Sequence, residues 1–377
     1  MTTTGTDVRP FRVNVPEADL EDLRTRLAHP RWPDELAGAE WSYGVPLEYV
    51  RELVHHWRTG FDWRAQETRL NTHPQFTTTI DGQRVHFLHV KSPEPGALPL
   101  LCTHGWPMSV FEYLELIGPL TDPRAHGGDA ANAFDVVIPS IPGIAFSGAT
   151  AEPGWDTRRI ARAWVELMHR LGYERYGAHG NDAGSQISPE VGRHDSEHVT
   201  GVHVTQLFSF PSGDPSEFAD LSPEDMAALQ FLEGFTSGGG LAYNQYQSAQ
   251  PQTLAYALQD SPAGWLAWVC QLFQRWVDRD DILTHASAYW LTSTIGSSIR
   301  RYHADAHAQQ GASNEPTTAP TGVAIFAEDF QSVRRFADRD HANIVSWNRY
   351  DRGSHFSPHD APDLLLSDIR AFFRSLR

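Results

Sequence analysis

Positive charge is scarce in this chain: 30 Lys and Arg face 47 Asp and Glu over 377 residues, a formal net charge of −17. No basic stripe appears, so neither nucleic acid nor an anionic membrane, both of which recruit Lys and Arg patches, is an expected partner. Cysteine is nearly absent. Only Cys102 and Cys270 occur, one in a strand-like apolar run and one in a helix-like apolar run. Structural disulfides are therefore not expected, neither cysteine has metal-ligand spacing, and both read as core. Residues 1–8 lack a positively charged segment followed by an apolar run, so no signal peptide or membrane anchor is expected and a cytoplasmic protein is the default. No Gly-x-Gly-x-x-Gly or Gly-Lys-Ser/Thr loop follows a strand-like run, which removes the usual case for a nucleotide cofactor. No internal repeat or low-complexity tract stands out. His303 with His307 and His355 with His359 sit at helical spacing, but the first pair lies in a polar stretch and the second spans Pro358. A rigid two-ligand helix face is not expected at either, and no metal or other cofactor is expected.

What the chain does have is the pentad Gly180-Asn181-Asp182-Ala183-Gly184, directly after the short apolar run 175–179. Small residues at both ends of such a strand-to-helix turn let helix and strand approach while the central side chain is held up and exposed. That position usually carries serine, which needs a base to become a nucleophile. Aspartate, whose side chain ordinarily titrates at about 3.9, is already an anion at neutral pH and can attack a saturated carbon directly. Read alone, Asp182 could equally be the N-cap of the helix that follows.

The order of the surrounding signals decides between these readings. The buried-strand run 99–103 ends in His104-Gly105-Trp106-Pro107, a tight turn that can aim the Trp106 N–H into a site. With the N–H of Ala183 it would form a two-donor oxyanion hole. A third apolar strand, 323–326, is followed by Glu328 and Asp329, and the run 344–350 by Gly353-Ser354-His355-Phe356. Nucleophile, acid and histidine thus come in the chain order of an α/β-hydrolase triad, with the choice between the two acids open.

These pieces, with Pro10-Phe11, Leu20-x-x-Leu23, Arg31-Trp32-Pro33, Tyr289-Trp290 and the stretches 180–185 and 298–302, resemble the microsomal-type epoxide hydrolase family. The similarity runs from Arg9 almost to the C-terminus, and is nearest to soluble actinobacterial members, some of which serve enediyne antibiotic biosynthesis. The resemblance implies an α/β-hydrolase fold, a mostly parallel central sheet flanked by helices, with a helical cap and a helical N-terminal extension. It implies that Asp182 forms an ester with the epoxide, that His355 and Asp329 activate water, and that Tyr243 and Tyr302 from the cap hold the epoxide oxygen. Two positions depart from the family pattern. Trp commonly follows the nucleophile where this chain has Ala183, which keeps the backbone donor but leaves a roomier pocket. The acid is usually Glu, whereas the matching position is Asp329, with Glu328 in reserve.

The expected organisation is an extension over 1–95 that wraps the core, a first core segment over 96–206, a helical cap over 207–312 and a second core segment over 313–377. Leu20, Leu23 and Leu27, and then Leu47, Val50, Val54 and Trp57, fall at helical spacing in the extension. Asp81-Gly82 within 76–91 signals a hairpin at the entry to the sheet. Asp156 caps an expected helix whose Ile160, Trp164, Leu167 and Leu171 share a face; such a strand–helix–strand crossover requires parallel strands. Trp265, Trp268, Trp276, Tyr289 and Trp290 populate the cap and read first as core, before the loop 311–320. Leu365, Ile369, Phe372 and Leu376 predict a C-terminal helix on the sheet.

The expected substrates are a hydrophobic, aryl-substituted epoxide and water, giving a vicinal diol; a biosynthetic or a detoxifying role, and a monomer or a homodimer, stay open. Haloalkane dehalogenation uses the same Asp, His and acid logic, but a halide needs indole N–H donors and an alkoxide needs a phenol. A catalytically silent fold that binds a hydrophobic ligand is the reading from a different class.

Overall fold

A computed structural model describes residues 7–273, 277–308 and 315–377. Trp276 and the start of the loop 311–320 lie outside the described residues. Nine strands form one sheet: β1 (Arg9–Phe11), β2 (Gln75–Ile80), β3 (Gln83–Val90), β4 (Leu98–Thr103), β5 (Phe134–Pro139), β6 (Tyr176–Gly180), β7 (Val199–Val204), β8 (Thr321–Ile325) and β9 (Ile344–Arg349), in the order β1-β2-β3-β5-β4-β6-β7-β8-β9. From β5 to β9 every neighbouring pair is parallel; β1, β2 and β3 pair antiparallel at one edge. The inner parallel strands are apolar along their length because helices cover both faces: Leu100, Leu101, Cys102, Val136, Val137 and Ala178 are all buried.

The Asp156 cap is in place. Its carboxylate accepts the Arg159 N–H at the start of helix Thr157–Arg170, which buries Ile160, Trp164 and Leu167; Leu171 then caps the C-terminus, and Gly172 leaves it at φ 80°. The C-terminal helix Pro362–Arg374 lies against strand glycines. A Cβ on Gly177 would stand 2.3 Å from the Phe373 ring, and one on Gly322 2.5 Å from Phe372, so the close approach of helix and sheet requires glycine there.

Residues before 96 do two jobs. They supply β1, β2 and β3 to the sheet, with Asp81-Gly82 as the turn between the last two, and they form helices Glu17–Ala28, Leu47–Thr59 and Trp63–Leu70. The third helix was not expected, because its signal is a capping aspartate rather than a long apolar stripe: Asp62 accepts the N–H groups of Arg64 and Ala65. The first two helices bury Leu20, Leu23, Leu27, Val50, Val54 and Trp57, and they reach the helical insertion between β7 and β8. Trp57 Nε1 donates to Ser287 Oγ at 2.8 Å, and Arg26 donates to the Asp260 carbonyl at 2.9 Å.

That insertion carries helices Pro223–Ser237, Ala242–Ala249, Pro251–Asp260, Pro262–Phe273, Arg279–Leu291 and Ile295–Ala306. Within it Trp265, Tyr289 and Trp290 are buried and Trp268 is half-buried, as core residues are. Both cysteines are buried thiols. Among the described residues no helix is long and apolar enough to cross a membrane.

Candidate active site

The strand β6 delivers the pentad to the C-terminal edge of the sheet, where open α/β sheets place their sites. Asp182 takes φ 51° and ψ −112°, a strained backbone for a residue with a Cβ. The flanking glycines explain how the turn closes. A Cβ on Gly184 would stand 1.9 Å from the Thr103 carbonyl oxygen of β4, and one on Gly180 2.1 Å from the Gly184 backbone. Asp182 thus precedes helix Ala183–His194 without capping it by its side chain.

Its carboxylate faces two partners. Oδ1 accepts the Trp106 backbone N–H at 2.8 Å, and Oδ2 lies 3.4 Å from His355 Nε2. On its other side the imidazole meets Asp329, Nδ1 to Oδ1 at 2.7 Å. Asp329 is almost fully buried, while Glu328 is exposed and its backbone N–H bonds to the Gly353 carbonyl at 2.9 Å. Of the two acids, Asp329 is the one against the histidine. Ala183 is buried as the first residue of the helix, whose leading N–H groups have no partner within the helix itself.

Charge follows this geometry. Burial alone would raise the Asp182 pKa, but the His355 hydrogen bond and charge, the Trp106 N–H and Arg301 outweigh it and hold the carboxyl below its usual range. Burial likewise opposes the imidazolium of His355, yet Asp329 and Asp182 on either side hold it well above the ordinary histidine value. In the resting site the two therefore stand as an ion pair.

The insertion brings in the tyrosines. The Tyr243 ring stacks on Trp106 at 5.8 Å, the Tyr302 ring meets Trp106 edge-on at 5.5 Å, and the two phenol rings are 6.0 Å apart. Burial, with the negative charge of Asp182 acting on both, raises both phenol pKa values, so both stay protonated donors at neutral pH. The Trp106 indole N–H is already committed to Ser298 Oγ at 3.1 Å.

Three buried polar residues complete the framework, and sequence reasoning missed their roles. Gln206 Oε1 accepts the Asp182 N–H and the Ser185 hydroxyl, each at 2.8 Å, while its Nε2 donates to Asn181 Oδ1 at 2.8 Å and to Asp329 Oδ2. Asn181 Nδ2 donates to Glu112 at 2.7 Å and to the His355 carbonyl at 3.0 Å; Glu112 also accepts the Gly105 N–H at 3.1 Å. Burial pushes the Glu112 carboxyl up to about 7 against the pull of those two donors. The available signal for Gln206 was its place just past the end of β7, beside the elbow strand. For Glu112 none existed beyond its nearness to the His104 turn.

The metal-like histidine pairs do not assemble as ligand sets. His303 Nδ1 bonds to the Ser248 carbonyl and His307 Nδ1 to the His303 carbonyl, at 2.8 and 2.9 Å. His359 turns away from His355 toward Asp281 and His285, at 3.4 and 3.3 Å. A cleft of about 550 Å³ between the insertion and the loop after β5, lined by Pro142, Trp155, Pro251, Ser297 and Arg301, does not include Asp182, His355 or either tyrosine.

Comparison with known proteins gives the family. Residues 8–113 match the family model described as epoxide hydrolase N terminus. A protein of Stigmatella aurantiaca (strain DW4/3-1), provisionally named an epoxide hydrolase, is 41% identical over 98% of this chain and 86% of its own length. Epoxide hydrolase 1 of Sus scrofa is 32% identical over 97% of this chain and 88% of its own. The solved structure of Aspergillus niger epoxide hydrolase superposes with a TM-score of 0.87 at 27% identity, covering 99% of this chain and 97% of that one. The fold is accordingly that of an α/β-hydrolase, and the chain belongs to the microsomal-type epoxide hydrolase family, enzymes that hydrolyse an ether bond.

Proposed function

We propose that this epoxide hydrolase works through a covalent ester on Asp182 and acts on hydrophobic, aryl-substituted epoxides. The observation that carries the reading is the single line Asp182–His355–Asp329, with a protonated phenol pair from the insertion packed on Trp106 above it. Asp182 Oδ2 attacks one epoxide carbon, the carbon–oxygen bond opens, and its electron pair goes to oxygen, which takes a proton from Tyr243 or Tyr302. Both phenols donate to the charge as it develops, which is where donors lower a barrier.

Ester formation then makes its own base. The Asp182 charge helps hold His355 protonated, and esterification removes that charge, so the imidazole loses one of its two supports and its pKa falls. The imidazolium proton passes to the tyrosinate left by ring opening; neutral His355, oriented by Asp329, then takes a proton from water, and the hydroxide attacks the ester carbonyl. Oxyanion charge falls on Oδ1, at the Trp106 N–H with the Ala183 N–H nearby. The adduct collapses, the departing alkoxide takes the proton from His355 and leaves as the diol, and the proton left on Asp182 passes back to His355, restoring the ion pair. Trp106, Trp265, Tyr243, Tyr289 and Tyr302 form one aromatic cluster, which supports an aryl substituent, and Ala183 takes little space. The prior bond of the Trp106 indole to Ser298 removes it as a halide donor and counts against dehalogenation.

The test is single turnover of the His355→Gln variant on styrene oxide beside a haloalkane, with intact-mass detection. A protein-bound adduct of one epoxide mass, with no halide released from the haloalkane, is expected. Diol production without any adduct would exclude the ester route.

A further inference from the structure

The helix that begins beside the nucleophile ends, at the opposite edge of the sheet, in a second cluster of chemistry-bearing side chains. Asp195 caps the C-terminus of helix Ala183–His194. His169 comes from the last turn of helix Thr157–Arg170, and His198 stands just before β7. His169 Nε2 lies 2.9 Å from Asp195 Oδ2 and His198 Nδ1 2.6 Å from Asp195 Oδ1. One ligand atom from each of the three side chains falls within 4.8 Å of the others, and among the described residues this is the one group of three or more His, Cys, Asp or Glu side chains so arranged.

We propose that His169, Asp195 and His198 form a binding site for a divalent transition-metal ion, best suited to zinc, that lies apart from the catalytic site. Two imidazoles and a carboxylate are an ordinary zinc ligand set, and bond lengths of about 2.0–2.2 Å place tetrahedral ligand atoms roughly 3.4 Å apart. An ion between them would replace the present His–Asp hydrogen bonds and draw ligand atoms that now lie within 4.8 Å of one another to that spacing. A further observation points to a ligating carboxylate. The Tyr176 hydroxyl donates to Asp195 Oδ2 at 2.7 Å, the kind of outer hydrogen bond that orients a ligating carboxylate. The carboxylate is buried while the His169 and His198 side chains are 41% and 35% exposed, so an ion and a fourth, water ligand have access.

Such an ion would tie together helix Thr157–Arg170, the far end of the nucleophile helix and the start of β7. Tyr176 opens β6 and Asp182 follows its end, about 15–20 Å away by strand rise, so the ion takes no part in the chemistry. The test uses the full chain, stripped with chelator, titrated with zinc chloride by calorimetry and followed by thermal unfolding. One tight equivalent is expected, with Tm raised by about 3 °C at a hundredfold excess over Kd, and cobalt(II) should give the visible bands of a tetrahedral site. Tyr176→Phe should weaken binding about tenfold, and His169→Ala/His198→Ala should lose the equivalent and the Tm shift while turnover stays unchanged. If the double variant does not fold, His169→Gln at the exposed position serves the same comparison. Equal zinc binding by wild type and variant, as adventitious binding at His303 and His307 would give, or no Tm shift in wild type, overturns the proposal.

Discussion

The groups at the strand ends and the phenols of the insertion are held by different forces. Asp182, His355 and Asp329 sit in a mesh of hydrogen bonds in which Gln206 and Asn181 touch every member of the line. Tyr243 and Tyr302 are placed by ring packing on Trp106, and their distance from Asp182 is set by how the insertion rests on the sheet. Hydrogen bonds fix direction to within a narrow cone, whereas aromatic contacts tolerate sliding. Under the proposed mechanism, precision then belongs to the hydrolytic half-reaction and adaptability to ring opening, and the N-terminal helices bear on the latter because they brace the insertion through Trp57 and Arg26.

The largest effect should come from Asp182→Asn, which keeps the size and removes the nucleophile: diol formation falls to background in a freshly prepared variant checked by mass for deamidation. Stability supplies a second readout. Asp182 is lowered from 3.8, so its contribution is present above that value and lost as pH falls through the folded one; His355 is raised from 6.5, so its contribution is complete below that value and lost as pH rises through the folded one. The Tm deficit of the variant should thus be widest between about pH 4 and 6.5 and shrink at alkaline pH. A deficit independent of pH would show that the pair is not ionised as described.

Next in size is the phenol pair. Loss of one transition-state donor costs about 3–4 kcal/mol in comparable sites, so Tyr243→Phe or Tyr302→Phe should slow ester formation by two to three orders of magnitude at most, less where the remaining phenol compensates. The double variant should nearly abolish it. Ester hydrolysis, measured by single turnover, should not change. Unchanged alkylation of Asp182 in the double variant would make both residues packing only and remove the distinction between the two regions.

Legibility in the sequence divides along the same line. Asp182, Trp106 and His355 could be read because each lies in a local motif whose backbone demands show in neighbouring residues: glycines at 180 and 184 that close contacts require, and a turn after an apolar strand. Parallel strands, with apolar residues on both faces, were similarly visible. Gln206 and Glu112 were not, since an amide or carboxylate beyond a strand or in a short turn carries no pattern until tertiary structure brings Asn181 to it. Tyr243 and Tyr302 were separable from other cap aromatics only by family resemblance, because a ring that packs as core and one that lines a site have the same local sequence. The helix Trp63–Leu70 was missed for a similar reason, its burial resting on Trp63, Glu67 and Leu70 alone.

Gln206→Leu should come third. It strips Asp329 and the Asp182 N–H of one partner each and leaves Asn181 Oδ1 short of a donor, and each unmet buried group costs about 1–3 kcal/mol. Stability and the hydrolytic step should both suffer, the latter by about tenfold to a hundredfold at roughly 1.4 kcal/mol per decade, with ring opening affected less. Equal slowing of both steps would mean that Gln206 serves the nucleophile more than the acid.

The smallest effect tests whether the insertion is braced from outside. Trp57→Phe removes the indole donor to Ser287 and keeps most of the apolar volume, so stability should fall by only about 1 kcal/mol. Trp57 belongs to the extension and Ser287 to a helix of the insertion whose Tyr289 ring packs on Trp265, which in turn packs on Trp106. Any slackening there reaches the phenols through rings, not through the hydrogen-bonded line. Ester formation should therefore slow by a few-fold in single turnover while hydrolysis of preformed ester keeps its wild-type rate. A variant that slows hydrolysis instead, or both steps alike, would show that the two regions share one mechanical framework and that the contrast between them does not extend to function.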